Sequence, residues 1–340
     1  MAVTNEPIAH SANQDGHRQP LVEHLRAVAR DAAAFAGVFG APELGRVAGL
    51  WHDLGKFAPA FQQYIRASER GEKTVRGPSH KAAGACMASQ PGGPQLLALP
   101  IVGHHGGLVS LNPGLNDYLT KHCGESHVEE ALAEARRWFP EALEPASPAL
   151  PAWLADQRLA VELFIRMLFS SLVDADFLDT ERHFSPEKAE ARSASPALSD
   201  LWQQLEADQH RFDAGEPTPV NRVRAEVYQA CLAAASAPPG FFRLTVPTGG
   251  GKTRSGLAFA LRHAIARDLR RVIVAIPYTS ITEQTAAEYR RIFQHPRAVL
   301  EHHSMARVDD RDEGEGLVWS RLAAENWDAP VVVTTTVQLF

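Results

Sequence analysis

Apolar residues recur at helical spacing through the first half of the chain. Leu21, Leu25, Val28, Ala32 and Phe35 make one stripe, and the spacing predicts an Ala-rich helix over 20–39. Leu44, Val47, Ala48 and Trp51 make a second, and Phe57, Phe61 and Ile65 a third. Ser79 reads as the N-cap of a helix through Ala82, Ala83 and Met87. Further helices are expected over 96–102 and, much longer, over 153–176. The pattern changes near residue 241. Phe241–Val246, Arg271–Ile276, Val299–Leu300 and Pro330–Thr336 are short apolar runs, with helices expected through Leu257, Leu261 and Ala264 and around Gln284. Such alternation predicts a parallel sheet. Between the halves, 182–219 is polar, carries Pro186, Pro196, Pro217 and Pro219, and holds one expected helix over 201–212. The fold class is therefore a mainly α-helical bundle over 1–215, with a helical linker from about 182, followed by a partial α/β P-loop domain over 216–340.

The ends of the expected helices carry histidines and aspartates. His24 lies beside the first stripe. His52-Asp53 closes the second, with Gly55 expected to end that helix in the left-handed conformation and Lys56 placed to reach back towards an anion. His80 follows Ser79, and His104-His105 precede Gly106-Gly107. In the long helix, Leu163, Met167, Ser170 and Asp174 are spaced to share one face. An aspartate at the end of an apolar face needs a partner or a metal. Asp176 and Asp179 then read as caps or outer acceptors. A lone His-Asp pair says little, but five imidazoles and two carboxylates exceed the four ligands of a structural zinc. They suit two ions sharing Asp53, with His24, His52 and Asp174 on one and His80, His104 and His105 on the other. Two such ions about 3.5–4 Å apart clamp a phosphodiester. Imidazole-rich ligation favours divalent transition metals such as Mn, Fe, Co or Ni over magnesium. Asp53 is then the central catalytic residue, and Lys56 is expected to hold a phosphate oxygen.

In the second half, Phe241–Val246 runs into Pro247 and then Thr248, Gly249, Gly250, Gly251, Lys252 and Thr253, with a helix behind. Strand, Gly-rich loop, Lys-Thr and helix make a P-loop. Backbone N–H groups meet phosphates, Lys252 reaches the terminal ones, and Thr253 holds magnesium with ATP. Val246 stands where the general pattern has glycine. Gln229, on the preceding helix, is placed to contact adenine. His302 and His303 belong to this half and are left out of the metal argument. No acidic Asp-Glu pair follows a strand, since Asp309-Asp310 sits in a charged loop without an apolar run before it. ATPase and helicase activity are therefore expected to be absent from this chain alone, which reads as a fragment or truncated form. The formal charge of −6 over 340 residues gives no global basic footprint. No apolar run approaches the ~18 residues of a membrane span, and the polar N-terminus lacks a signal-peptide centre. Cys86, Cys123 and Cys231 are odd in number and far apart, and read as buried free thiols of a cytoplasmic protein.

Together, His24, His52-Asp53 with Gly55-Lys56, Ser79-His80, His104-His105-Gly106 and the run from Asp174 through Asp176 to Asp179-Thr180-Glu181 resemble the HD nuclease domain of the CRISPR-associated nuclease–helicase family of type I systems. Pro247–Thr253, Ile276–Gln284, His302-His303-Ser304 and Trp327–Phe340 resemble the start of its helicase half. The resemblance implies a metal-dependent nuclease acting on single-stranded DNA, recruited by an RNA-guided CRISPR surveillance complex. The alternative is an HD phosphohydrolase acting on nucleotides or cyclic dinucleotides, whose metal site would look the same.

Overall fold

The structure, a computed structural model, describes residues 6–72, 79–144, 148–154, 157, 159–193, 195–213, 218–304 and 327–339. The chain packs as two units, Met1–Pro186 and Glu187–Phe340. Asp309-Asp310 lies outside the described residues.

The first unit is helical. A small antiparallel hairpin of β1 (Ile8–His10) and β2 (Gln19–Pro20) leads into α1 (Leu21–Gly37), then α2 (Pro42–Trp51), α3 (Pro59–Glu69), α4 (Ala82–Ala88), α5 (Ala98–Gly103), α6 (Asn116–His122), α7 (Ser126–Trp138) and the long α8 (Ala160–Phe184). The expected stripe of α1 faces inward, with Leu21, Leu25, Val28 and Ala32 buried against Leu44, Val47 and Trp51 of α2. Phe164 and Leu168 of α8 belong to the same core.

Several local expectations change. Gly55 does not end α2 in a left-handed conformation, because α2 stops at Trp51 and Leu54–Phe57 continue as a 3-10 turn. Glycine is needed there for close approach instead: a Cβ on Gly55 would stand 2.3 Å from the His80 carbonyl oxygen, and one on Gly84 1.8 Å from that of Trp51. Ser79 does not cap α4. Its hydroxyl pairs with the Tyr118 hydroxyl at 2.6 Å, and α4 begins at Ala82, beyond His80. The long helix starts at Ala160 and continues to Phe184. Cys86 and Cys123 are not free thiols. Their Cα atoms are 5.4 Å apart and they form a disulfide joining α4 to the end of α6, while Cys231 is buried and free. Thirty-seven residues of separation hid a spatial neighbour, and the thiol argument for a cytoplasmic location no longer holds for this pair.

In the second unit, α9 (Pro186–Ser193) and α10 (Leu198–Asp213) precede α11 (Pro219–Ala234), α12 (Lys252–Ala266) and α13 (Thr279–Phe293). The strands β3 (Val272–Ile276), β4 (Val299–His302) and β5 (Val331–Thr335) pair in parallel in the order β3-β5-β4. Only the central β5 is buried throughout; Ile273 of β3 is exposed, as an edge position allows. Leu201 and Leu205 of α10 pack with Leu257, Leu261 and Ala286, so this helix, placed with the linker ahead of residue 216 by its sequence, belongs to the second core. Phe241–Val246 forms no strand. It finds no ladder partner among the described residues, and Phe241, Phe242 and Leu244 lie in solvent. Among the described residues no helix is long and apolar enough to cross a membrane.

Candidate functional site

Five elements deliver side chains to one buried point of the first unit. α1 supplies His24, the bend after α2 supplies His52 and Asp53, the segment before α4 supplies His80, the end of α5 supplies His104 and His105, and α8 supplies Asp176. Asp53 is fully buried, and its two oxygens face different partners. Oδ2 lies 3.4 Å from His52 Nε2 and 3.7 Å from His24 Nε2. Oδ1 lies 3.5 Å from His104 Nε2 and 3.7 Å from His80 Nε2. Asp176 Oδ1 closes the first side, 3.4 Å from His24 Nε2 and 3.6 Å from His52 Nε2. His105, more exposed, stands beside His80 and His104 on the second. The ligand atoms thus fall into two sets, His24–His52–Asp176 and Asp53–His80–His104–His105.

The far nitrogens of the rings are already committed. His52 Nδ1 donates to the Gly49 carbonyl at 2.8 Å, and His104 Nδ1 to that of Ile101 at 2.7 Å. A carbonyl can only accept, so each Nδ1 carries the proton and each Nε2 can present a lone pair. His24 Nδ1 donates to Asp179 Oδ2 at 2.7 Å. The Nε2 atoms of His24, His52, His80 and His104 are buried without a hydrogen-bond partner, as is Asp53 Oδ1, while Oδ2 meets the Lys56 ammonium. Buried polar atoms left this way cost stability unless something else meets them. Their convergence on imidazole and carboxylate donors fits divalent metal ions.

Charges at the site follow the same geometry. Burial alone would raise the Asp53 carboxyl, but Lys56 and His52, with the His104 and His24 rings beside it, hold it well below the usual carboxylate range. Burial likewise opposes ionisation of Asp176, and His24 and His52 outweigh it. For His24, burial favours the neutral ring, yet the facing carboxylates of Asp176, Asp179 and Asp53 push its pKa up to about 10. Burial lowers His80 to about 3 and His105 to about 4, so both are neutral at physiological pH. Lys56 is itself buried. Its Nζ sits 2.7 Å from Asp53 Oδ2 and donates to the Ala9 carbonyl at 3.3 Å, so the anion it reaches back to is the shared carboxylate.

Asp174, expected as a ligand, is not brought to this cluster, and Asp176 stands there instead. The face chosen from Leu163, Met167, Ser170 and Asp174 is the outer one: Leu163 is 60% exposed and Asp174 lies beside the Ser170 hydroxyl. Phe164, Leu168, Ser171, Leu172 and Ala175 mark the buried face, which carries Asp176 and Asp179 inward. Two residues along a helix turn a side chain by about 200°, which separates the two aspartates. His10 was also missed. Its ring meets His24 edge-on at 5.0 Å, held there by Thr180 and stacked on His183. No spacing in the sequence links it to the other histidines.

In the second unit the phosphate loop is formed without its strand. Gly249 and Gly251 both have φ of +83°, and Gly251 stands immediately before Lys252, the first residue of α12. Val246 is accommodated because its neighbour across the loop is Gly250, where a Cβ would lie 2.3 Å from Val246 Cγ1. A cavity of about 610 Å³ opens here, lined by Arg224, Tyr228, Thr248, Gly249, Lys252 and Thr253 among others. Gln229 is exposed and does not line it; one turn earlier on the same helix, Arg224 donates to the Gly249 carbonyl at 2.9 Å. His303 bonds Glu301, and His302 accepts from the Trp327 indole.

Comparison with known proteins agrees with both halves. Residues 21–144 match the family described as HD domain, and 219–340 match the type III restriction enzyme res subunit. A CRISPR-associated nuclease/helicase Cas3 from Haloferax volcanii is 25% identical over 395 aligned positions, covering 89% of this chain and 40% of that protein. The crystal structure of T. fusca Cas3 with ATP superposes with a TM-score of 0.59 at 20% identity, over 98% of this chain and 43% of that one. A second T. fusca Cas3 structure gives a TM-score of 0.56 at the same identity. The chain thus spans about two fifths of the length of these relatives. An HD-domain match followed by a helicase-like match thus makes this chain similar, over most of its own length, to a Cas3 nuclease/helicase.

Proposed function

We propose that the first unit is a metal-dependent nuclease whose substrate is single-stranded DNA. The observation that carries this reading is the convergence of four unpartnered imidazole Nε2 atoms on the two oxygens of Asp53. Each side is completed by a third group, Asp176 on one and His105 on the other, which is the donor set of two ions with one shared carboxylate. Two divalent transition-metal ions of the Mn, Fe, Co or Ni class supply Lewis acidity towards a phosphodiester and acidify a water to near neutral pH.

The chain's own residues do the rest. Asp53 fixes the two ligand sets against each other. Gly49, Ile101 and Asp179 hold the proton on the far nitrogen of His52, His104 and His24, so that each ring faces inward in one orientation. Lys56 balances the Asp53 charge from within the buried site. The second unit binds ATP with magnesium at Lys252 and Thr253. With its relatives named as CRISPR-associated nuclease/helicases, the protein acts on DNA presented by an RNA-guided surveillance complex. The nuclease site and the phosphate loop lie in separate units, so cleavage of free single strands needs no ATP.

The test offers Mn-loaded protein three substrates: a single-stranded oligonucleotide, its duplex and a cyclic dinucleotide. Chelator-sensitive cleavage of the single strand, unchanged by ATP or by Lys252→Ala, is expected. Turnover of the cyclic dinucleotide with the DNA left intact would replace this reading by a nucleotide phosphohydrolase.

A further inference from the structure

The two ligand sets are not equivalent. His24, His52 and Asp176 are all buried, and this side has Asp176 in addition to the shared Asp53. The other side has three imidazoles, one of them exposed, and, among the described residues, no carboxylate besides Asp53. Among the described residues, a further carboxylate stands behind the first side only. Asp179 Oδ2 accepts from His24 Nδ1 at 2.7 Å, whereas His52 and His104 are backed by neutral carbonyls. A carboxylate behind a ligating imidazole fixes its tautomer and raises its basicity.

Asp179 is held from both sides. Gln19 of β2 donates to the same Oδ2 at 2.7 Å, and Arg182, itself paired to Asp31, donates to Oδ1 at 3.2 Å. Both oxygens are therefore taken, and the carboxylate cannot turn away from His24. The hairpin that supplies Gln19 is anchored in turn: Gln62 accepts from the Ile8 N–H and donates to the Ile8 carbonyl, and the Leu21 N–H bonds Pro7. The hairpin that leads into α1 thus helps to set the orientation of the α1 ligand, acting through Asp179 of α8.

We propose that Asp179, locked by Gln19 of the N-terminal hairpin, is a positioning residue that makes the His24–His52–Asp176 position the tighter of the two metal positions, so that the ions load in order. This rests on reading the cluster as a two-ion site. The side with His105 fills second and more weakly.

The experiment titrates the metal-free full chain with Co(II) or Mn(II) against a chromophoric chelator, with visible absorption of the cobalt form as a second readout. Two separable steps are expected for the parent. His105→Ala should remove the weaker step and keep the tighter one. Asp179→Asn places a neutral amide opposite His24 Nδ1 and should weaken the tighter step by about 10–100-fold, leaving the weaker step in place. Asp179→Glu, which keeps the charge, should recover part of the loss. Gln19→Ala, which keeps Asp179, should weaken the same step by less and serves if Asp179→Asn does not fold. Two equal steps in the parent, or a loss in the Asp179 variant that falls on the weaker step or on both alike, would overturn the ordering while sparing the two-ion site. No uptake of either ion would overturn both.

Discussion

Residues at helix ends were legible in the sequence, and residues on a helix face were legible only as far as the face itself. His52-Asp53 and His104-His105 interrupt their helices, so their chemistry does not depend on which way a stripe points. The aspartate of α8 does depend on it. Leu163 and Met167 are apolar enough to suggest an inner face, yet Phe164 and Leu168, one position on, are the residues wholly buried. Nothing local distinguishes the two stripes, because this helix carries apolar residues on most sides. The consequence is testable at single positions. Asp176→Ala should cost at least about tenfold in metal affinity and reduce cleavage further, since it removes a buried ligand. Asp174→Ala should leave both within about twofold, as expected of a side chain on the outer face and outside the ligand groups. Metal titration and cleavage rates of the two variants check this, and the reverse ranking would restore Asp174 to the site.

At the scale of elements, the site exists because short segments approach one another more closely than side chains allow. The Gly55 N–H bonds the His80 carbonyl at 3.0 Å, and Gly84 lies against the Trp51 carbonyl. These contacts bring His80 beside Asp53. The sequence displayed both glycines, and Gly55 was read as a helix terminator because left-handed φ is the commoner use of glycine after a helix. Close packing between segments 25 to 33 residues apart has no local signature. Gly84→Ala should therefore destabilise the first unit by about 1–3 kcal/mol through overpacking against backbone. Thermal unfolding should show the loss, and metal binding at the His80 side should weaken with it. An unchanged melting curve would contradict the close approach. The sheet was legible as alternating strands and helices. Phe241–Val246 was not, since a run of apolar residues states a preference for extended backbone but not the presence of a neighbouring strand.

For the whole molecule, buried histidines shape how stability responds to pH without metal. His24 is raised to about 10, above the value of about 6.5 of an unfolded histidine, so its contribution is complete below 6.5 and is lost as pH rises towards 10. His10 and His80 are lowered to about 3, and His105 to about 4, chiefly by burial. The unfolded chain binds protons at these positions first, so stability also falls as pH drops below about 6.5. In chelator, the melting temperature should pass through a maximum near neutral pH and decline on both sides; a continued rise from pH 7 to 9 would contradict the charge assigned to His24. Metal uptake at pH 7 should release a proton from His24. All of these effects meet at Asp53, whose two oxygens join the two ligand sets. The most direct measurement is the metal content of Asp53→Ala together with its single-strand cleavage rate, beside the parent. The account predicts about two ions per parent chain, loss of ions from the variant, and cleavage reduced by several orders of magnitude with helical content unchanged. A folded variant that keeps its ions and cuts at near-parental rate would contradict it.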